Sequence, residues 1–204
     1  VWESDSLRMQ ALWEHIGDAF RSEAGFLTRI GYHRAFQKVD YYYRSENAWG
    51  RFVSPGVYVD QYIDPSSGLT ERIAGGNTYW EFGGRIYVFP EIEHRRELVD
   101  ETWLDGMRYE VSAGVSTLRW LSVSGSALVT DTPIRDASLR PGDAPTNGRF
   151  VAQTASLTLQ PTPAFDLTLS HSSSRLREFA GGPTLDQQDL WRVRAQYFVT
   201  RTVD

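Results

Sequence analysis

An all-β fold, an antiparallel up-and-down transmembrane β-barrel, is what this sequence predicts, and three observations carry it. Candidate strands alternate apolar and polar side chains at period two, no helical stripe competes with them, and their connections alternate long and short. Barrels threaded through an outer membrane have tight turns on one side and long loops on the other. Lipid outside and water inside then select an alternating strand. About ten strands are expected, in one barrel domain or barrel segment over residues 1–204.

The first candidate strand runs from Ser6 to Glu14, with Leu7, Met9, Ala11 and Trp13 opposite Arg8, Gln10, Leu12 and Glu14. The stretch Ile30 to Arg44 sets Arg34, Lys38, Asp40 and Arg44 against Ala35, Val39, Tyr41 and Tyr43. Weaker segments follow near 49–63, 71–82 and 85–97. A clean one places Met107, Tyr109, Val111, Ala113 and Val115 opposite Arg108, Glu110, Ser112 and Gly114. Next, Leu121, Val123, Gly125, Ala127 and Val129 face away from Ser122, Ser124 and Ser126. After a segment near 148–160, Phe165, Leu167 and Leu169 alternate with Asp166, Thr168 and Ser170. The last strand is the clearest: Trp191, Val193, Ala195, Tyr197 and Val199 against Arg192, Arg194 and Gln196, with Phe198 the exception.

Long connections are expected at 15–27, 98–105, 131–147 and 175–187, with an intermediate one at 64–69. Short ones are expected at 45–48, 83–84, 117–119 and 161–163, of which Gly83-Gly84 reads as a hairpin turn. A soluble meander sandwich has no reason to keep that parity. Trp49, Trp80 and Trp120 fall beside short turns, and Trp13 and Trp191 beside long loops. These are candidate interfacial aromatics, two girdles of amphipathic indoles.

Composition narrows the functional classes. Apolar residues are 41% and charged residues 23%, which excludes a disordered chain. The net charge of −5 and scattered arginines give no nucleic-acid face. With no cysteine there is no disulfide framework, thiolate metal site or cysteine nucleophile. No run approaches the roughly 20 apolar residues of a membrane helix, whereas barrel strands need no such run. The chain starts at Val1 without an initiator Met and stops at Asp204 just after a strand, so a segment of a larger barrel is expected.

Several short motifs resemble a family. The stretch Gly25-Phe26-Leu27-Thr28-Arg29, an extended polar-aromatic strand and Ser54-Pro55-Gly56 are similar to the opening of an outer-membrane barrel domain of unknown function. Phe82-Gly83-Gly84-Arg85-Ile86, Glu97-Leu98-Val99-Asp100-Glu101 and Val123-Ser124-Gly125 follow in the same order, so the resemblance covers most of the chain. In that family the barrel usually follows a domain similar to a family-9 carbohydrate-binding module. The resemblance implies a fold and a bacterial outer-membrane location. It carries no catalytic residues.

Among possible chemical constellations, Glu91 and Glu93 point the same way on a strand, roughly 7 Å apart. That spacing suits glycoside hydrolysis, but two lumenal charges in water explain it more simply. His171 lies between Ser170 and Ser172 yet on the opposite face, so it activates neither. His94 with Arg95 and Arg96 reads as a charged strand end. Asp131, Asp136 and Asp143, and separately Asp186 and Asp189, lack a regular calcium spacing. No catalytic residue, metal site or cofactor is assigned.

The candidate lumen lining is Arg8, Arg34, Lys38, Asp40, Glu91, Glu93, Arg108, Glu110, Arg192 and Arg194, with Asp60 and Asp166 of the same parity. Both signs are present, which argues against strong ion selectivity and suits either a wet channel or a plug cross-linked by ion pairs. The expected function is a pore, or an anchor for a surface or periplasmic domain. The expected partner is outer-membrane lipid, with carbohydrate or another envelope protein as further candidates. A soluble all-β carbohydrate-binding module is the alternative, with Tyr41, Tyr43, Tyr58 and Tyr62 as its aromatic cluster. A barrel hydrolase comes third, since no inward nucleophile–base pair assembles.

Overall fold

The structure, a computed structural model, describes residues 1–17, 31–45, 51–66, 68–83, 85–134, 144–178 and 182–198. Among them every regular element is a strand: β1 (Trp2–Glu3), β2 (Leu7–Ile16), β3 (Tyr32–Tyr41), β4 (Tyr43–Arg44), β5 (Phe52–Asp64), β6 (Gly68–Phe82), β7 (Ile86–Val99), β8 (Thr102–Leu118), β9 (Leu121–Pro133), β10 (Asn147–Thr162), β11 (Phe165–Glu178) and β12 (Thr184–Tyr197). Setting aside the two-residue β1 and β4, ten long strands remain, as the alternation predicts. The longest, β8, has 17 residues, against about 5–6 in an ordinary globular sheet.

All pairings are antiparallel and join sequence neighbours, so the chain is an up-and-down meander in one sheet. β4 prolongs β3 along β5, where Tyr43 opposes Val53. The sheet does not close among the described residues: β12 ends it on one side, and on the other β1 pairs only with Met9 and Arg8 of β2. It is an open array rather than the closed barrel the sequence predicts.

Two expected connections differ from the structure. Residues 98–105 do not form a long loop. β7 and β8 run on to Val99 and from Thr102, and Asp100 and Glu101 close them with φ of 47° and 64°. Positive φ at both central residues is the geometry of a tight hairpin turn, and Asp tolerates it. Likewise β11 extends to Glu178 and β12 begins at Thr184, so most of 175–187 is paired strand, with Arg175 opposite Gln187 and Leu176 opposite Asp186. At the β7–β8 end apolar residues fall on both faces, with Leu98 opposite Trp103 and Leu104 opposite Glu97, and at the β11–β12 end both faces are mainly polar, so period-two alternation is lost in both places.

The rhythm of connections changes accordingly. The long ones, between Ile16 and Tyr32 and between Pro133 and Asn147, still fall at one end of the sheet. That end also carries the tight Asp100-Glu101 turn, so the strict alternation does not hold.

Candidate functional site

Register, not sequence spacing, decides which side chains share a face. Asp40 opposes Gly56, Gly56 opposes Asn77, Asn77 opposes Glu91, and Glu91 opposes Glu110. Lys38, Tyr58, Gly75, Glu93 and Arg108 form the neighbouring row. Arg8 opposes Asp40, Glu14 opposes Arg34, and at the far edge Arg192 and Arg194 oppose Ser170 and Thr168. All ten candidate lumen residues therefore lie on one polar face.

That face is knitted by charge. Arg34 clamps Asp60 through Nε at 2.9 Å and Nη2 at 2.7 Å, the fork geometry favoured by carboxylates. Lys38 Nζ lies 2.9 Å from Asp40 Oδ1. Arg108 Nη1 lies 3.1 Å from Glu91 and 3.2 Å from Glu93, while its Nη2 pairs with Glu110. The Tyr58 hydroxyl lies 3.0 Å from Glu91 Oε1 and donates to Glu93. Glu93 is only 6% exposed. The Glu91–Glu93 pair is thus a cross-strand ionic knot, with both carboxylates engaged by Arg108.

Past the Arg108 knot the same face changes character. Ser112, Ser126, Thr154 and Ser172 form one row across β8 to β11. Gly114, Ser124, Ser156 and Ser170 form the next, then Ser122, Thr158 and Thr168. Hydroxyls pair across strands, with Ser126 and Thr154 oxygens 2.8 Å apart.

The opposite face is apolar in its middle. Val57, Val88, Ile92, Tyr109, Val111, Val123, Ala127, Leu157, Leu169 and Val193 lie on it. Met107 to Val115 spans eight residue steps, about 26 Å along β8. A charged collar bounds it at the end of the long connections: His94 lies 3.4 Å and Arg96 3.8 Å from Asp105, and Arg149 lies 3.1 Å from Asp131.

Trp13 lies on this face near the collar and stacks on His33 at 5.6 Å, whereas Trp80 and Trp120 sit at the tight-turn end. Trp49 lies outside the described residues. Trp191 is seven residues inside β12 rather than beside a loop, stacked on His171 at 4.2 Å, because polar strand ends extend β11 and β12 beyond it.

The other constellations resolve simply. His171 Nε2 lies 3.0 Å from Asp189 on the apolar face, away from Ser170 and Ser172. Asp131 serves Arg149, Asp186 and Asp189 project from opposite faces, and Asp136 and Asp143 lie outside the described residues. Among the described residues no three His, Cys, Asp or Glu side chains gather as metal ligands. Of the four tyrosines of the soluble-module reading, Tyr41 and Tyr43 lie on the apolar face and Tyr58 and Tyr62 on the polar one.

Sequence reasoning missed an aromatic row on the polar face. Tyr42 and Phe52 rings are 5.9 Å apart, Phe52 and Tyr79 5.9 Å, and Tyr79 and Tyr87 6.2 Å. Each sits on a different strand segment, so only register brings them together.

The whole sheet is a single layer. The accessible surface of the chain is 14138 Å², against about 9,700 Å² for a compact globule of 23.2 kDa. Among the described residues only Ile73, Val99 and Ile134 are buried hydrophobics. Comparison with protein-family models, curated proteins and solved structures finds no match.

Proposed function

We propose that this chain is the wall of a bacterial outer-membrane β-barrel, with its apolar face against lipid and its polar face inward, serving as a pore or as an anchor for an adjoining envelope domain. One observation carries the reading: a single-layer sheet of long strands has an apolar band on one face, collared by ion pairs, and charged and hydroxyl side chains on the other. In water such a band is a large exposed apolar patch, while in a bilayer it meets its own kind. With ten long strands, β2 and β12 run antiparallel, a parity compatible with closing the proposed barrel by their direct pairing or through an even number of further strands. The resemblance to a barrel that follows a carbohydrate-binding domain supports the anchor role.

The test is heat-modifiability. Expressed in a bacterial host with an export signal, the protein is expected in the outer-membrane fraction, and folded in detergent or vesicles it runs faster on a gel before boiling than after. A water-soluble product with no shift overturns the reading.

A further inference from the structure

We infer that the polar face carries a site for a neutral, polyhydroxylated solute, a sugar or short oligosaccharide, where the aromatic row meets the hydroxyl field. The inference rests on the barrel reading, which makes this face the interior. Three features converge at the tight-turn end.

First, the aromatic row from Tyr42 to Tyr87 crosses β5 to β7 with all four rings half-buried, so part of each ring is open. Second, Tyr87 lies flat on the wall rather than across the interior. A Cβ built on Gly114 would sit 2.5 Å from Tyr87 Cε1, so the glycine is what lets the ring lie down. Third, one register row runs from Tyr87 through Gly114, Ser124, Ser156 and Ser170 to Arg192. It passes from aromatic to hydroxyl to cation within a single line of side chains.

This combination selects the ligand class. A sugar ring has C–H groups on its faces and hydroxyls around its rim. It therefore stacks on an aromatic while exchanging hydrogen bonds with short polar side chains beside it. Serine and threonine both donate and accept, as sugar hydroxyls do. Arg34, Lys38 and Arg108 of the same wall are paired with carboxylates, while Arg44 over the Phe52 ring and Arg192 at the end of the row add N–H donors that sugar hydroxyls accept from.

The experiment uses the detergent-refolded protein and maltotriose as the probe. Heat-modifiability is checked first, then binding by titration calorimetry. Saturable binding at about millimolar concentration is expected. Tyr87→Ala weakens it about tenfold, Tyr87→Phe keeps it within about twofold because the ring remains, and Ser156→Val weakens it about fivefold. Each variant must retain the heat shift. A shifted wild-type protein that does not bind, or a Tyr87→Ala variant that binds as well as wild type, overturns the inference and leaves the barrel standing. A protein with no heat shift overturns both.

Discussion

Replacing Val111 by arginine tests the assignment of faces most directly. Val111 is 44% exposed, pairs with Pro90 and Ala127, and sits six residues from Asp105 of the collar. In the proposed barrel, six steps of about 3.3 Å on a strand tilted about 40° would put it about 15 Å below the collar, close to the middle of a bilayer. An arginine there costs about 2–4 kcal/mol, or about 30- to 900-fold in the folding equilibrium. Ser112→Arg, one residue along, projects from the polar face and costs under about 1 kcal/mol. Met107→Arg, two residues from the collar, can extend to the interface and also costs about 0–1 kcal/mol. Urea titration of folding into vesicles, followed by heat shift on gels, reads the difference. For a slope of about 2 kcal/mol/M the Val111→Arg midpoint falls by about 1–2 M. Equal midpoints for Val111→Arg and Ser112→Arg would refute the face assignment. A Met107→Arg variant as damaged as Val111→Arg would instead indicate burial in a protein core, where distance from the collar is irrelevant.

Other outcomes follow from the same contacts. Arg108→Ala strands Glu91, Glu93 and Glu110, and should destabilise by about 3 kcal/mol, the low end for a broken buried pair because the Arg108 side chain is 26% exposed; chemical denaturation of Arg108→Ala against Arg108→Ala with Glu93→Gln measures it, with the double variant partly restored. Gly75→Ala places a methyl 2.6 Å from Tyr58 Cζ and should cost about 1–3 kcal/mol, a loss that adding Tyr58→Ser reduces in a double-mutant cycle. Glu101→Gly relieves a φ of 64° at a non-glycine residue and should raise stability by about 1 kcal/mol, read as a higher denaturant midpoint.

The strand ends show where reading a sequence fails and why. Period-two alternation is visible where one face is apolar and the other polar, as in Met107–Val115 or Trp191–Tyr197. Beyond that band the two faces no longer differ, being mainly polar around Arg175 and Gln187 and apolar in part on both sides around Leu98, Trp103 and Leu104, and the alternation vanishes although the hydrogen-bonded ladder continues. Hence 98–105 looked like a loop and Trp191 like a loop neighbour. The face of each lumen candidate was legible, because parity within a strand is local. Its ionic partner was not, because Arg108 reaches Glu91 and Glu93 only once β7 and β8 are in register.

The aromatic row and the hydroxyl field make the same distinction. Tyr42, Phe52, Tyr79 and Tyr87 are scattered along the chain and share only the parity of the polar face. By itself the sequence determined that the protein is all-β, that its strands have one apolar and one polar face, and which side chains belong to each. That information is local, carried by the alternation of neighbouring residues across a pleated strand. Tertiary structure alone decided the register, and with it the Arg34–Asp60 clamp, the Arg108 knot, the two-residue turn at Asp100-Glu101 and the row from Tyr87 to Arg192. Register is a relation between strands, set by where each turn closes, and no single strand contains it.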